Sequence, residues 1–325
     1  MATATVMREF AISGTNGSGT NGARTNGAKR SELPVLLPLA TRSRRAAAIE
    51  RRDGGYHLNL QPRHAIWVVI LFVAACGAAQ AATPAGLISP VDALIKWSGF
   101  ILWGPEGGLT GFALNLIISF FAMLIGTVAG AALGLMQVSL LLPVRQGSWL
   151  VTQFFRNSPW LVLLFTIMLL FPFEIDLNPI GIPLIIPVPD WMKAVVGFSL
   201  PVMANISEIV RGAVRSLPSG QWESAESLAF TRRQTMWMII LPQCVKRMIP
   251  PWINWYCILA MATPLASIMG VEESVTYTAQ ALNAESDRPE LIPIFYSFLL
   301  VIHFIYTYPI ARWSIRLEKR FAVKD

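Results

Sequence analysis

Residues 211–252 read RGAVRSLPSGQWESAESLAFTRRQTMWMIILPQCVKRMIPPW, and the fold turns on how this stretch is taken. It begins too polar, and is too often interrupted by proline, to be read as one more apolar crossing. Its residues instead describe a small structure. Ser219 is placed to cap a short helix through Gln221, Trp222, Glu223 and Ala225, with Glu223 and Glu226 in the first two turns, where carboxylates suit the positive end of a helix dipole. Thr231-Arg232-Arg233-Gln234 has the spacing of a capping box that opens a second helix. The two helices meet at Leu228-Ala229-Phe230, while Pro242 and Pro250-Pro251 punctuate the return to apolar sequence.

Outward from this loop the chain is apolar. Hydrophobic residues make up 54% of it and charged residues 14%, against roughly 25% charged in soluble domains, and its mean hydropathy is +0.52. Six apolar stretches, at 65–82, 110–136, 150–172, 191–210, 252–270 and 291–313, are long enough as helices to cross a hydrocarbon core of about 30 Å at a rise of about 1.5 Å per residue. The expected class is an all-α polytopic membrane protein with about six transmembrane helices.

Lys and Arg fall on one side of this arrangement. Arg42 to Arg63, Arg145, Arg156, the loop arginines and Arg312 to Lys324 share that side, whereas the other keeps only Lys96, Lys193 and Arg288 beside Glu174, Asp176, Glu272, Glu273, Glu285, Asp287 and Glu290. Positive loops resist translocation, so both termini and the 211–250 loop are expected in the cytoplasm. The net charge of +7 is then a topology signal, and nucleic acid is not an expected partner. Cys76, Cys244 and Cys257 show neither CxxC nor metal-ligand spacing.

Four regions follow. Residues 1–63 are read as a disordered, basic cytoplasmic segment, because 11–30 repeat Thr-Asn-Gly with too little apolar surface to offset ordering. Residues 64–83 are an extra N-terminal transmembrane helix, read as an uncleaved anchor despite the small residues around Ala79-Gln80-Ala81. Residues 84–108 form an external loop with an interfacial helix between Val91 and Leu102, and 109–325 form the core. Gly126, Gly130 and Gly134 make a small-xxx-small ladder, which serves either packing within the chain or contact with a second copy.

Ionisable and amide groups in apolar stretches are the candidate functional residues. Glu208 and Arg211 share a helix face and either pair structurally or serve the solute. Asn115, Asn205 and Asn254 suit hydrogen bonds to a solute or between helices. Arg156 is placed to anchor the third span at the cytoplasmic surface, and His303 reads as a packed histidine in the last. No catalytic constellation, metal-ligand pattern or Gly-x-x-x-x-Gly-Lys-Ser/Thr phosphate loop is present, which weighs against an intramembrane enzyme. An ion-coupled secondary transporter is the other competing class, and the internal symmetry it usually shows is not evident.

The loop resembles the EAA loop of ABC importer permeases, with Glu223-Ser224-Ala225, Ala229, Ile239 and Leu241-Pro242 at the family's spacing. The amino-acid branch is the closer likeness: Gly220-Gln221-Trp222-Glu223 is similar to GQWE, Leu241-Pro242-Gln243 to LPQ, Phe155-Arg156-Asn157-Ser158-Pro159 to FRGTP, Glu208-Ile209-Val210-Arg211-Gly212 to EIVRG, and Pro264-Leu265-Ala266-Ser267 to TSLAS. The likeness covers roughly residues 105–320. It implies a type I importer fold in which Gly220, Gln221, Glu223, Ala225, Ala229, Leu241 and Pro242 couple to a separate ATPase subunit, which binds the ATP and Mg. It further implies a second permease, identical or homologous, an external solute-binding protein, and a solute path on which Ser267 joins Asn115, Asn205, Glu208 and Asn254. The chain departs from the branch at Ala229, which replaces the bend glycine, and at Leu163 and Met261-Ala262, which stand where polar or charged groups are usual. Either the bend is gentler or coupling is tuned.

Overall fold

A computed structural model describes residues 62–81, 88–176, 185–285 and 288–321. The Thr-Asn-Gly repeat and the basic segment before the first helix lie outside the described residues. Helices dominate: α1 (Pro62–Ala81), α2 (Pro90–Trp103), α3 (Phe112–Gln137), α4 (Leu142–Asn157), α5 (Trp160–Leu170), α6 (Asp190–Arg215) and α7 (Ser219–Ser227) come first. Next, α8 (Arg232–Gln234), a π-helical stretch (Thr235–Ile240), α9 (Leu241–Ala262) and a 3-10 stretch (Thr263–Met269) run on as one rod of 38 residues, Arg232–Met269. The chain then forms α10 (Ser274–Ala284) and α11 (Leu291–Phe321). Strands β1 (Glu174–Asp176) and β2 (Ile185–Pro187) pair antiparallel between α5 and α6.

All six apolar stretches carry helix. Among the described residues, four helical segments are long and apolar enough to cross a membrane, namely α3, α6, the rod and α11, and the bent pair α4–α5 counts as a fifth. The 20 residues of α1 also reach about 30 Å.

Two expectations need correction. The stretch 150–172 is not one straight crossing: α4 and α5 meet at 106°. Pro159 is the cause. Its ring disfavours helical geometry at the residue before it, and Ser158 is accordingly extended at φ −81, ψ 138. The second correction concerns Pro242 and Pro250-Pro251, which do not interrupt the chain's return to apolar sequence. The wider π turn ends just before Pro242, where a residue without an N–H is accommodated. At Pro250 the carbonyl accepts from Ser314 Oγ on α11 at 2.9 Å, so a neighbouring helix supplies part of the hydrogen bonding near the break.

The core is built on α3 against α6. A Cβ at Gly126 would lie 2.5 Å from Val202 Cγ1, one at Gly130 2.6 Å from the Met203 carbonyl, and one at Gly134 2.7 Å from the Ser207 carbonyl. The ladder therefore packs within the chain, and contact with a second copy is not its role. Around it Ile118, Ala122, Phe198, Val202 and Ile206 are fully or almost fully buried. A second cluster docks α2 onto α10 and α11 through Ala93, Leu94, Ile101, Leu291, Ile294 and Phe295. Lys96 Nζ and Trp97 Nε1 reach Glu285 Oε1 at 2.7 and 2.8 Å across the same junction, and these hydrogen bonds hold the Glu285 carboxyl below the usual carboxylate range.

The carboxylate of Glu273 is not the exposed loop acid that charge counting suggests. It is fully buried and caps α10, accepting from the backbone N–H groups of Val275 and Thr276 and from Asn115 Nδ2 and Ser274 Oγ, at 2.9 to 3.0 Å. Burial pushes its carboxyl above the usual range, and those four donors oppose the shift.

Gly130→Ala should destabilise the folded protein by about 1–3 kcal/mol, because the new methyl meets a backbone carbonyl that cannot turn aside. Gly147→Ala on α4, with open space around its Cβ, should instead be neutral or stabilising by up to about 1 kcal/mol. Unfolding midpoints of the two detergent-solubilised variants check this, and equal midpoints would remove the glycine ladder as the reason for the α3–α6 approach.

Candidate functional site

The loop that decides the fold is an exposed helix on a packed base. α7 spans nine residues, Ser219–Ser227. Ser219 is its first residue and not its cap: the capping position is Pro218, and no side chain caps the helix. Glu223 lies mid-helix and Glu226 next to its end, so the expected interaction of both carboxylates with the N-terminal dipole is not realised. Gly220, Gln221 and Glu223 are exposed, and Ala225 is buried.

A hydrogen-bonded reversal ends this helix. The Ala229 N–H donates to the Glu226 carbonyl at 2.9 Å and the Phe230 N–H to the Ala225 carbonyl at 3.1 Å, the two bonds of a Schellman motif. Ala229 occupies the left-handed region at φ 57, the sole non-glycine residue with positive φ among those described. The bend is therefore as tight as a glycine would make it, and a gentler bend is excluded. A left-handed alanine costs roughly 1–2 kcal/mol, which the surrounding bonds offset. At the tip, Leu228 presents an apolar side chain that is 72% exposed.

Beyond the bend the capping box is realised. Thr231 Oγ1 accepts from the Gln234 N–H, and Gln234 Oε1 accepts from the Thr231 N–H at 2.9 Å. Two contacts tie α7 to the rod, and a third ties the rod to the end of α6. Gln243 Nε2 donates to Gln221 Oε1 at 3.1 Å, the Arg232 guanidinium lies 5.2 Å from the Trp222 ring centroid, and Arg247 Nη1 donates to the Ser216 carbonyl at 2.8 Å. Trp222 also packs against a small apolar cluster of Ala213, Val214, Leu217, Ile240 and Cys244. Leu241 is half-buried and Pro242 exposed where the π turn passes into α9. The GQWE-like and LPQ-like stretches thus touch directly, and α7 is fixed to α6 and to the rod together.

Glu208 carries a second junction. It pairs with Arg211 on its own helix and lies 3.7 Å from Arg156 Nη1 at the end of α4, so the FRGTP-like and EIVRG-like stretches meet there. The arrangement favours a structural ion cluster that fixes α4 on α6.

The remaining path candidates separate. Asn115 is buried with every polar atom engaged inside the chain: Nδ2 donates to Thr263 Oγ1 at 3.2 Å and to Glu273, and Oδ1 accepts from the Ser274 N–H at 3.1 Å. It joins α3 to the far end of the rod, so hydrogen bonding between elements is its role here. Asn205 Nδ2 donates to its own helix at the Pro201 carbonyl, and Ser267 Oγ to the Pro264 carbonyl, each at 2.7 Å. Asn254 is exposed, as is Met261 seven residues on along the same α-helix, and Ile268 of the 3-10 stretch is exposed beyond them. Leu163 is buried.

Sequence reading missed two groups. Lys193 has a fully buried side chain, with its ammonium 3.1 Å from Asp190 Oδ1 and 3.7 Å from the Phe173 ring centroid. Gln137 is buried where it donates to Thr152 Oγ1 and Ser207 Oγ at 2.9 and 3.1 Å. The i,i+3 spacing of Asp190 and Lys193 could have signalled the first pair but not its burial, whereas the partners of Gln137 lie on other elements.

Comparison with known proteins agrees with this layout. Residues 122–317 match the family described as binding-protein-dependent transport system inner membrane component. The chain is 38% identical over 165 residues to the probable amino-acid ABC transporter permease protein YckA of Bacillus subtilis, covering 51% of this chain and 69% of that protein. It is 32% identical to the L-cystine transport system permease protein TcyB of the same organism, covering 50% and 65%. With the inner membrane amino-acid ABC transporter permease protein YhdY of Escherichia coli it shares 31% identity, covering 66% and 56%. The chain thus spans slightly less than two thirds of TcyB and about half of YhdY. In fold it is similar to the crystal structure of an amino acid ABC transporter with histidines, at a TM-score of 0.56 and 20% identity, covering 72% of this chain and 99% of that one. An exposed loop helix fixed to two long apolar helices, four of the five likenesses brought to two junctions, and a family match over 122–317 lead to one conclusion: this chain belongs to the binding-protein-dependent transport system inner membrane components, the permease subunits of ABC transporters.

Proposed function

We propose that this chain translocates polar amino acids or related solutes inward across a bacterial inner membrane, with both termini in the cytoplasm. The observation that carries the reading is the attachment of α7 to α6 and the rod at once through Trp222 and Gln221. A rigid helix so held passes a push on its exposed face into both long helices, and Gly220, Gln221, Glu223 and Leu228 are the residues an ATPase subunit would meet. Ala225, Ala229, Leu241 and Pro242 set its height and angle. The chain needs no cofactor and performs no catalysis of its own; ATP and Mg act on the partner ATPase. The solute class rests on the names of the relatives, YckA, TcyB and YhdY.

The other proposed partners are an external solute-binding protein and a second permease, identical or homologous. Asn254 and Met261, exposed on one face of the rod, suit that second subunit. Because Leu163, Met261 and Ala262 bring no charge to the path, we propose either that a different permease supplies the polar solute contacts or that the solute is less charged than a basic amino acid.

Glu223→Lys should abolish transport while the protein still inserts, because it reverses the charge on the face offered to the ATPase; normal uptake and ATPase stimulation would remove α7 from the coupling mechanism. Ala229→Gly should raise stability by roughly 1 kcal/mol and leave transport intact, since it relieves the left-handed strain and keeps the bend. Loss of transport in that variant would mean that the alanine methyl itself is required.

Topology is open to labelling. In a background without Cys76, Cys244 and Cys257, a cysteine at Glu174 should react with an impermeant thiol reagent in intact cells, and one at Ser227 should not. Outside labelling at Ser227 would overturn the orientation. Robust arginine or lysine uptake by this chain with its ATPase and binding protein, and no second kind of permease, would refute both forms of the solute proposal.

A further inference from the structure

Two neighbouring cavities, of about 360 and 220 Å³, open where the ends of α3, α4 and α6 meet the base of α7. Both are lined by Gln137, Arg145 and Arg215; Arg232 and Trp222 complete the first, and Arg211 and Trp149 the second. Four arginines thus line this region, and among the described residues no Asp or Glu lines either cavity. Arg211 is committed to Glu208 and Arg232 lies against Trp222. Among the described residues Arg145 and Arg215 form no ion pair. Cations gathered at a partly enclosed site repel one another, and an anion placed between them removes that cost.

Gln137 adds a second requirement. Its Nε2 donates to the hydroxyls of Thr152 and Ser207, whose own protons go to the carbonyls of Ser148 and Ala204. Those two hydroxyls also lie 2.9 Å from each other, and Gln137 Oε1 is left buried without a donor. A ligand that carries both an anionic phosphate and a hydroxyl answers both the arginines and this acceptor. The rim indicates where such a ligand comes from: Leu140, Leu141, Leu142 and Trp149 stand exposed beside Arg145, apolar side chains that suit acyl chains and an indole that suits the membrane interface.

We propose that these cavities bind the hydroxyl-bearing phosphate headgroup of an anionic membrane lipid, seated against the base of the coupling helix. The phosphate lies between Arg145 and Arg215, and a headgroup hydroxyl donates to Gln137 Oε1. Because Trp222 lines the same cavity, the bound headgroup braces α7 on α4 and α6. The site is independent of which solute is carried.

The test uses the purified, delipidated full chain in detergent, with bound lipid counted by native mass spectrometry. Phosphatidylglycerol should be retained as one tightly held copy, phosphatidylcholine should not, and glycerol 3-phosphate should bind far more weakly than the lipid. Arg145→Gln with Arg215→Gln should weaken phosphatidylglycerol retention by about tenfold or more. Arg145→Lys with Arg215→Lys, which keeps the charge if the neutral pair fails to fold, should weaken it less. Arg312→Gln with Arg316→Gln, elsewhere on α11, should leave it unchanged. Equal retention of the two lipids, undiminished retention by the double glutamine variant, or the same loss in the α11 pair would overturn the site. Glycerol 3-phosphate binding as tightly as the lipid would overturn the membrane source and assign the cavities to a soluble phosphate ester.

Discussion

Backbone carbonyls of α6 at Met203 and Ser207 lie 2.6 and 2.7 Å from where a side chain would begin at Gly130 and Gly134. Two helices that close cannot be separated by even one methyl group. In lipid there is no hydrophobic drive to bring helices together, so contact at this distance rests on dispersion and shape, which the glycine ladder supplies. Everything else in the core is positioned from this pair. α5 lies on α6 with Leu164 against Gly197, α4 is tied to both helices, and the rod packs along them.

Polar pins fix the two ends of α3. Near one end Asn115 joins Thr263, Glu273 and Ser274; at the other Gln137 joins Thr152 and Ser207. Each interhelical hydrogen bond in a membrane contributes only about 0.6–2 kcal/mol, yet it specifies rotation and height where apolar packing alone tolerates sliding. The pins therefore select one register of α3 on its neighbours. Transport requires that some helices move as units, and a helix pinned at both ends moves as a unit or not at all.

The loop around α7 obeys a similar logic with different means. α7 is too short to be stable alone, since isolated helices of fewer than about 12 residues are marginal in water. Ala225 and Trp222 anchor one face, the Schellman bonds close one end, and the capping box restarts the chain toward the rod. Retention of a left-handed residue at Ala229, at a cost of roughly 1–2 kcal/mol, indicates that the angle between α7 and the rod is held by all of these contacts together.

The sequence by itself determined the helices and the loop between them. Apolar length, the arrangement of Lys and Arg, the Thr231–Gln234 capping spacing and the Gly126–Gly130–Gly134 ladder are local patterns, and each reports a property that a helix has before it meets a partner. The stretch proposed to meet the ATPase was legible for the same reason, as polar sequence between apolar segments. Only the tertiary structure decided that the ladder packs on α6, that Asn115 and Glu208 join elements, and that Glu273 and Lys193 are buried. It also decided how two proline sites behave. A proline forbids one backbone bond but does not say whether the chain turns or carries on; at Ser158-Pro159 the chain turns, while at Pro250-Pro251 the helix continues with Ser314 of α11 on the Pro250 carbonyl. Local sequence does not carry that choice, because it depends on the packing around each site as well as on the proline ring, and backbone groups in lipid must find their hydrogen bonds within the protein.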